Sequence, residues 1–172
     1  MTGSEIRQRV REQFPDAVLE EHDFRGDDTL VMKREMLHEV LAFLRDDPQL
    51  KFDLLMALCG ADYLPLQRQP RFELVYHLFS VPFKKRLRVR FPIEEENLIV
   101  PSVVDLWVTA DWHEREAFDM FGFKFKGHPN LRRILTHEDF EGHPLRKDYP
   151  VNRRTTVMPS VVDLLTPKPF NG

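Results

Sequence analysis

Between Arg71 and Phe91 the chain alternates apolar and polar residues with a period of two, on both sides of Val81-Pro82-Phe83. Phe72, Leu74, Tyr76 and Leu78 share one side of the first run. Leu87, Val89 and Phe91 share one side of the second, with Arg86, Arg88 and Arg90 opposite. Successive side chains of a strand point to opposite faces, so this pattern predicts a hairpin with one buried face and one wet face. A chain built around such a hairpin must cover the apolar face with something else.

The neighbouring segments supply that cover. Ser4 can cap a first helix with Ile6, Val10 and Phe14 on one face, and Pro15 ends it. Residues 17–24 and 29–33 read as two strands around Gly26-Asp27-Asp28. Residues 35–46 form the clearest helix, with Met36, Leu37, Val40, Leu41 and Leu44 as one stripe, closed by Pro48. The apolar run in 52–63 predicts a helical turn followed by a strand over 60–64. Pro101-Ser102 predicts a short helix with Ser102 as cap and Val103, Val104, Leu106 and Trp107 as its apolar residues. Residues 110–121 contain no Pro or Gly, and Gly122 follows as a stop. With 172 residues, one domain plus an extension is expected. The compact part spans 1–126 and the extended tail 127–172.

Charge separates these two parts. Residues 1–123 hold 16 Lys/Arg against 23 Asp/Glu, and residues 124–172 hold 9 against 5, within a net charge of −3. A basic tail on an acidic domain is expected to lie on an acidic neighbour. The tail carries six prolines and no long apolar periodicity, so it cannot build a core of its own. Its aromatic residues and its Arg132-Arg133 pair favour packing on this domain or on a partner. The single cysteine, Cys59, can form neither an internal disulfide nor an iron–sulfur or structural zinc site, which predicts a reducing compartment. The start MTGSEIRQRV has no apolar segment of a secretory signal, and the longest apolar run, 54–61, is too short to span a bilayer. Contact with a membrane is expected only through partners.

Candidate functional residues concentrate in 110–149. On a helical wheel Met120, Ala117, Ala110, Phe121 and Phe118 form an apolar arc, while Asp111, Arg115 and Asp119 form an i,i+4 ladder opposite. Glu114 and His113 fall inside the apolar arc, and Trp112 falls among the charges. A carboxylate in an apolar arc needs a partner or a proton. Glu114 is expected to bond a backbone amide or a tail arginine, and so to hold the tail in place. Trp112 either packs on its own domain or waits for another surface, Trp being a common interface anchor. Arg132 and Arg133 are expected to meet carboxylates, Glu114 or Glu116 or those of a partner. Thr136 can cap one helical turn with Asp139 at the box position. The turns at Gly127-His128-Pro129 and Gly142-His143-Pro144 are expected to steer the chain off its own domain. The spacings of His128, His137 and His143 do not place them on one helical face, so a metal site is not expected. There is no phosphate-cradling loop, no G-x-S-x-G and no Cys pair. These absences point to an interaction subunit. A nucleic-acid-binding protein using Arg86, Arg88, Arg90, Arg132 and Arg133, and an enzyme using Glu114 with a histidine, are the readings from other classes.

The run Glu114-Arg115-Glu116-Ala117-Phe118-Asp119-Met120-Phe121-Gly122 closely resembles a known signature, and so do Phe125-Lys126-Gly127-His128-Pro129 and Leu131-Arg132-Arg133-Ile134-Leu135. The signature is that of the 30 kDa (C) subunit family of NADH-quinone oxidoreductase, respiratory complex I. Residues 139–150, DFEGHPLRKDYP, resemble the same family's tail. The resemblance implies an α+β, two-layer domain with helices packed on a mixed β-sheet and an extended C-terminal tail. It implies a peripheral-arm subunit of a proton-translocating enzyme, without catalytic residues, on the cytoplasmic side of the cell membrane. Its partners would be subunits D (the 49 kDa type), B and I. Cofactors are expected to be none in this chain, because iron–sulfur clusters, FMN, NAD and quinone bind other subunits. The docking residues would be Trp112, Glu114, Arg115, Glu116, Asp119, His128, Arg132, Arg133, His143, Arg146, Lys147, Asp148 and Tyr149. Ferredoxin- or F420-linked reductases and membrane-bound hydrogenases contain equivalent subunits and are the alternative within the family.

Overall fold

In the computed structural model, which describes residues 2–152, five strands form one mixed sheet in the order β1-β2-β5-β4-β3. These are β1 (Val18–Phe24), β2 (Asp27–Met32), β3 (Leu54–Asp62), β4 (Phe72–Ser80) and β5 (Lys85–Ile93). The expected hairpin is β4–β5, antiparallel from Phe72↔Ile93 to Ser80↔Lys85. β1 and β2 form a second hairpin through Arg25 and Gly26, both at positive φ, as a tight two-residue turn requires. Only β2 and β5 run parallel, which makes the sheet mixed.

Alternation decides which face is buried. Leu30, Met32, Leu74, Tyr76, Leu78, Leu87, Val89 and Phe91 join one core with Ile6 and Val10 of helix α1 (Gly3–Gln13). Leu37, Val40, Leu41 and Leu44 of helix α2 (Leu37–Asp46) join it, as do Trp107, Ala110, Ala117, Met120 and Phe121 further along the chain. Thr2, not Ser4, caps α1, in a reciprocal box with Glu5. Helix α3 (Ala110–Phe121) runs beside the edge strand β3, and Phe121 packs over Gly60. A Cβ at Gly60 would stand 2.5 Å from that ring, so only glycine admits the helix this close.

Three local expectations are corrected. The run over 52–63 is strand β3, not a helical turn, because its pairing with β4 satisfies its backbone along almost the whole length. No helix starts at Pro101. Instead β6 (Ile99–Pro101) pairs in parallel with β7 (Lys124–Lys126), and Trp107 turns inward to donate to the Phe52 carbonyl at 3.2 Å. Thr136 caps no helix, because its hydroxyl and amide are both spent on Asp119. Among the described residues no helix is long and apolar enough to cross a membrane.

Candidate docking strap and its carboxylate latches

After β7 the chain does not leave the domain. Residues 127–149 fold back along α3 and across the end of the sheet as a strap without regular secondary structure. Such a segment has no ladder to hold it; one backbone bond, from the Leu145 amide to the Met120 carbonyl at 3.1 Å, ties it to α3, and two buried carboxylates do most of the rest.

The first is Asp119, in the last turn of α3 and fully buried. One of its oxygens accepts three consecutive amides, from Ile134 at 3.0 Å and from Leu135 and Thr136 at 2.8 Å. The other accepts from Arg133 at 2.6 Å and from the Thr136 hydroxyl. Successive N–H groups converging on one anion form a nest. Burial pushes this carboxyl up, but the bonds from Thr136, Leu135 and Arg133 outweigh it and hold the pKa at about 2. Arg133 also donates to the Gly142 carbonyl at 3.0 Å. The His143 ring lies 2.9 Å from the Asp119 carbonyl, through Nδ1. It sits over Gly122, whose φ of +90° and 2.7 Å clearance to the imidazole leave no room for a Cβ.

The second latch is Asp62, at the end of β3. It accepts two bonds from Arg71, at 2.9 and 2.8 Å, and the backbone amide of Lys147 at 2.7 Å. Burial raises its pKa, and the bonds from Arg71, Lys147 and Leu64 bring it down to about 2. Arg71 reaches Glu95 at 2.6 Å and Asp148 at 3.0 Å, and Arg146 reaches Glu95 at 2.9 Å. The Arg71 and Arg146 guanidinium groups both lie against the Phe72 ring, at 4.6 and 4.9 Å. Two arginines and three carboxylates thus close the strap's far end, and the stacked rings of Phe140 and Tyr149 brace it.

The thirteen residues expected at the docking surface separate by role. Glu114 bonds a backbone amide, one of the two partners expected of it, but among the described residues it makes no hydrogen bond to the tail and so does not hold it. It is fully buried and accepts from the Ser102 hydroxyl and the Val103 amide, both at 2.7 Å, tying α3 to the chain after β6. Arg133 meets neither Glu114 nor Glu116; its partner is Asp119. Arg115 donates to the carbonyls of Arg132 and Arg133. His128 lies against Asp111, so the Gly-His-Pro turns fold the chain onto its own domain and not off it. Asp119, Arg133, His143, Arg146, Asp148 and the Lys147 amide build the latches. Trp112, Glu116, Arg132 and the Lys147 side chain stay exposed, Trp112 at 65 % with Arg115 5.7 Å from its ring. Leu135 and Leu145 of the strap are also exposed. Sequence reasoning missed Asp62, Arg71 and Glu95. The usable signal was a lone Asp closing an apolar run and a lone Arg opening the next strand. Among the described residues no three His, Cys, Asp or Glu side chains gather in a way that could hold a metal ion.

Glu114 also predicts a pH dependence. Burial pushes its carboxyl up to about 7 against the bonds from Val103 and Ser102, with Asp105 and Asp111 adding to the rise. A carboxyl that binds its proton more tightly in the folded chain stabilises the fold at low pH and loses that contribution as pH rises from 4.5 to about 7. The loss is roughly 3 kcal/mol. Glu114→Gln should flatten unfolding free energy over that window, measured by denaturant titration at pH 5 and pH 8. An unchanged slope would reject the assignment.

This geometry defines a class: a two-layer α+β domain whose C-terminal strap is latched by buried carboxylates beside an exposed aromatic anchor. The chain belongs to the 30 kDa subunit family of respiratory-chain NADH dehydrogenase, whose family model matches residues 30–155. It is 49 % identical over 151 residues to the C subunit of NADH-quinone oxidoreductase from Roseiflexus sp. (strain RS-1), covering 88 % of this chain and 86 % of that one. It is 48 % identical over 143 residues to the protein of the same name from Citrifermentans bemidjiense, covering 83 % and 86 %. Among solved structures, the trypsin-resistant fragment of Nqo5 superposes with a TM-score of 0.67 at 32 % identity, over 76 % of this chain and all of the fragment. A chain of an archaeal membrane-bound sulfane sulfur reductase superposes at 0.71 with 24 % identity over 87 % and 86 %, a likeness of fold. The chain is therefore a subunit of the complex I type of assembly.

Proposed function

We propose that this chain is a non-catalytic structural subunit of the peripheral arm of a proton-translocating NADH-quinone oxidoreductase. It sits next to the 49 kDa subunit, near subunits B and I, on the cytoplasmic side of the membrane. Iron–sulfur clusters, FMN, NAD and quinone belong to those and other subunits. The observation that carries the reading is the strap. A segment with no core is held rigidly by Asp119 and Asp62, and rigid presentation reduces the ordering cost of binding. What it presents, with α3, is an aromatic anchor, Trp112, and along the same strap and helix the exposed side chains of Glu116, Arg132, Lys147 and two leucines. That composition fits a protein interface, where Trp and Arg dominate the energetics. The relatives named NADH-quinone oxidoreductase, at 49 % and 48 % identity, favour the quinone-reducing branch over the alternatives.

Trp112→Ala combined with Arg132→Glu tests the reading. Both side chains are exposed, so the fold should survive. Loss of an interface anchor typically weakens binding by about 2 kcal/mol or more, roughly thirtyfold. Complex purified from membranes should lose the subunit by about that factor relative to wild type. Equal retention would reject the docking edge.

A further inference from the structure

The second face of the sheet carries no helix among the described residues; Tyr63 and Arg68 of the loop after β3 close it at Glu73, and the rest, toward the β4–β5 turn, stays open. On it the register places Val75 opposite Arg90, His77 opposite Arg88 and Phe79 opposite Arg86, with Ala57 and Cys59 on the edge strand beside them. Helices α1 and α2 lie on the other face, and α3 lies along the edge. Exposed Met56, at 45 %, and exposed Leu54 stand next to the start of α3, where the Thr109 hydroxyl reaches the Leu55 carbonyl. Glu116 approaches Cys59. The open face is therefore continuous with the Trp112–Glu116 side of α3.

Its charges are unevenly spent. Arg90 is neutralised by Glu73, at 2.7 Å, and bonds the Tyr63 hydroxyl. Among the described residues Arg88 bonds only the Thr29 hydroxyl, at 3.5 Å. Arg86 has no polar partner among the described residues. Both line a depression of about 340 Å³ floored by Ala57 and His77 and walled by Met56. The facing titratable groups are His77, Asp27 and Asp28 at the depression, with Lys84 and Lys85 at the hairpin tip. Asp28 is already paired with Arg7, so of the two acids lining the depression Asp27 is left against two arginines, with Asp23 in the adjoining hollow. Burial first, and then the neighbouring Arg88, push the His77 imidazole below its usual value, against Asp27.

We infer that this open sheet face is a second docking surface, and that its occupant is an acidic segment of another protein subunit. Its carboxylates would pair Arg86 and Arg88 while apolar neighbours cover Met56, Phe79 and Ala57. Arginine recognises carboxylates bidentately, and the apolar residues supply the area such a pair needs around it. A polyanion such as RNA fits poorly. The face has no row of exposed aromatics for stacking bases. The inference uses membership in the complex but not the strap reading.

The test uses whole complex purified from membranes, in two arms. First, Arg86→Glu with Arg88→Glu should lower retention of the subunit at least about tenfold at moderate salt. Because Arg86 is exposed and Arg88 only half-buried, the melting temperature of the full chain should move by no more than about 4 °C. Trp112→Ala with Arg132→Glu, run alongside, separates the two faces: each pair reports on its own surface. Second, a photoreactive benzophenone residue at Met56 of the otherwise wild-type chain should form an adduct with an Asp/Glu-rich peptide of another subunit, which settles the matter even if the charge reversal misfolds. Unchanged retention with no adduct overturns the inference, as does an adduct to lipid or nucleic acid.

Discussion

Asp119→Asn should lower the melting temperature of the chain by about 6–20 °C. The substitution keeps the shape of the side chain and removes its charge. Three amides, the Thr136 hydroxyl and the Arg133 guanidinium all donate to this carboxylate. An amide group accepts through one oxygen only, and its own N–H groups would face donors. Breaking one partner of a buried ion pair typically costs about 3–5 kcal/mol, because the other charge is left enclosed. For a chain of this size each kcal/mol is worth about 2–4 °C. Backbone amides of residues 134–136 should lose their protection from hydrogen exchange, while those of β4 and β5 keep theirs after correction for global stability. A loss smaller than about 3 °C with protection intact would mean that the strap is held elsewhere. The pH profile gives the same result by another route. A carboxyl held at about 2 stabilises the fold above its ordinary value near 4, and that contribution disappears as pH falls from about 4 to about 2. Wild type should therefore lose stability steeply in that window, and the Asn variant less so.

The β4–β5 hairpin was legible because its faces see different solvents, and a period of two records that directly in the residues. Helix α3 was legible for a related reason: an uninterrupted helical stretch ends at a glycine that must take a left-handed conformation. The strap was half legible. Its lack of a core could be read from composition, but its path could not, because that path is set by hydrogen bonds between residues far apart in the chain. Asp119 shows the difficulty. On a wheel it sits with Asp111 and Arg115 on the polar side of α3, where solvent is the default neighbour. Only the return of residues 133–136 converts that side into an interior. Glu114 shows the reverse. Its conflict with the apolar arc correctly signalled burial, yet the donors came from Ser102 and Val103, not from the tail. A periodicity says that a group is inside, and it does not say which segment encloses it. The run over 52–63 was ambiguous for a third reason: length and apolarity alone do not separate a buried strand from a short helix.

Replacing Arg71 should be as costly as replacing Asp119 and should act on the opposite end of the strap. Arg71 is almost wholly buried, and among the described residues it is the only side chain that touches Asp62, Glu95 and Asp148 together. Arg71→Leu would keep some contact with the Phe72 ring but leave the fully enclosed Asp62 carboxylate with amide donors alone. Its pKa, now about 2, would rise as burial ceases to be opposed by the guanidinium. The expected loss is again about 3–5 kcal/mol. Arg71→Lys should recover only part of it, since a point charge cannot give Asp62 two parallel bonds and reach two further carboxylates. The two ends can be told apart by combining variants. Asp119 and Arg71 hold different parts of one strap, so once either latch has released it the second loss should cost less than it does alone. Unfolding free energies of the two single variants and the double variant, by denaturant titration, give that coupling. A double variant whose loss equals the sum of the singles would mean that the strap is two independent clips. A smaller loss would mean that it is one cooperative element, as rigid presentation to a partner requires.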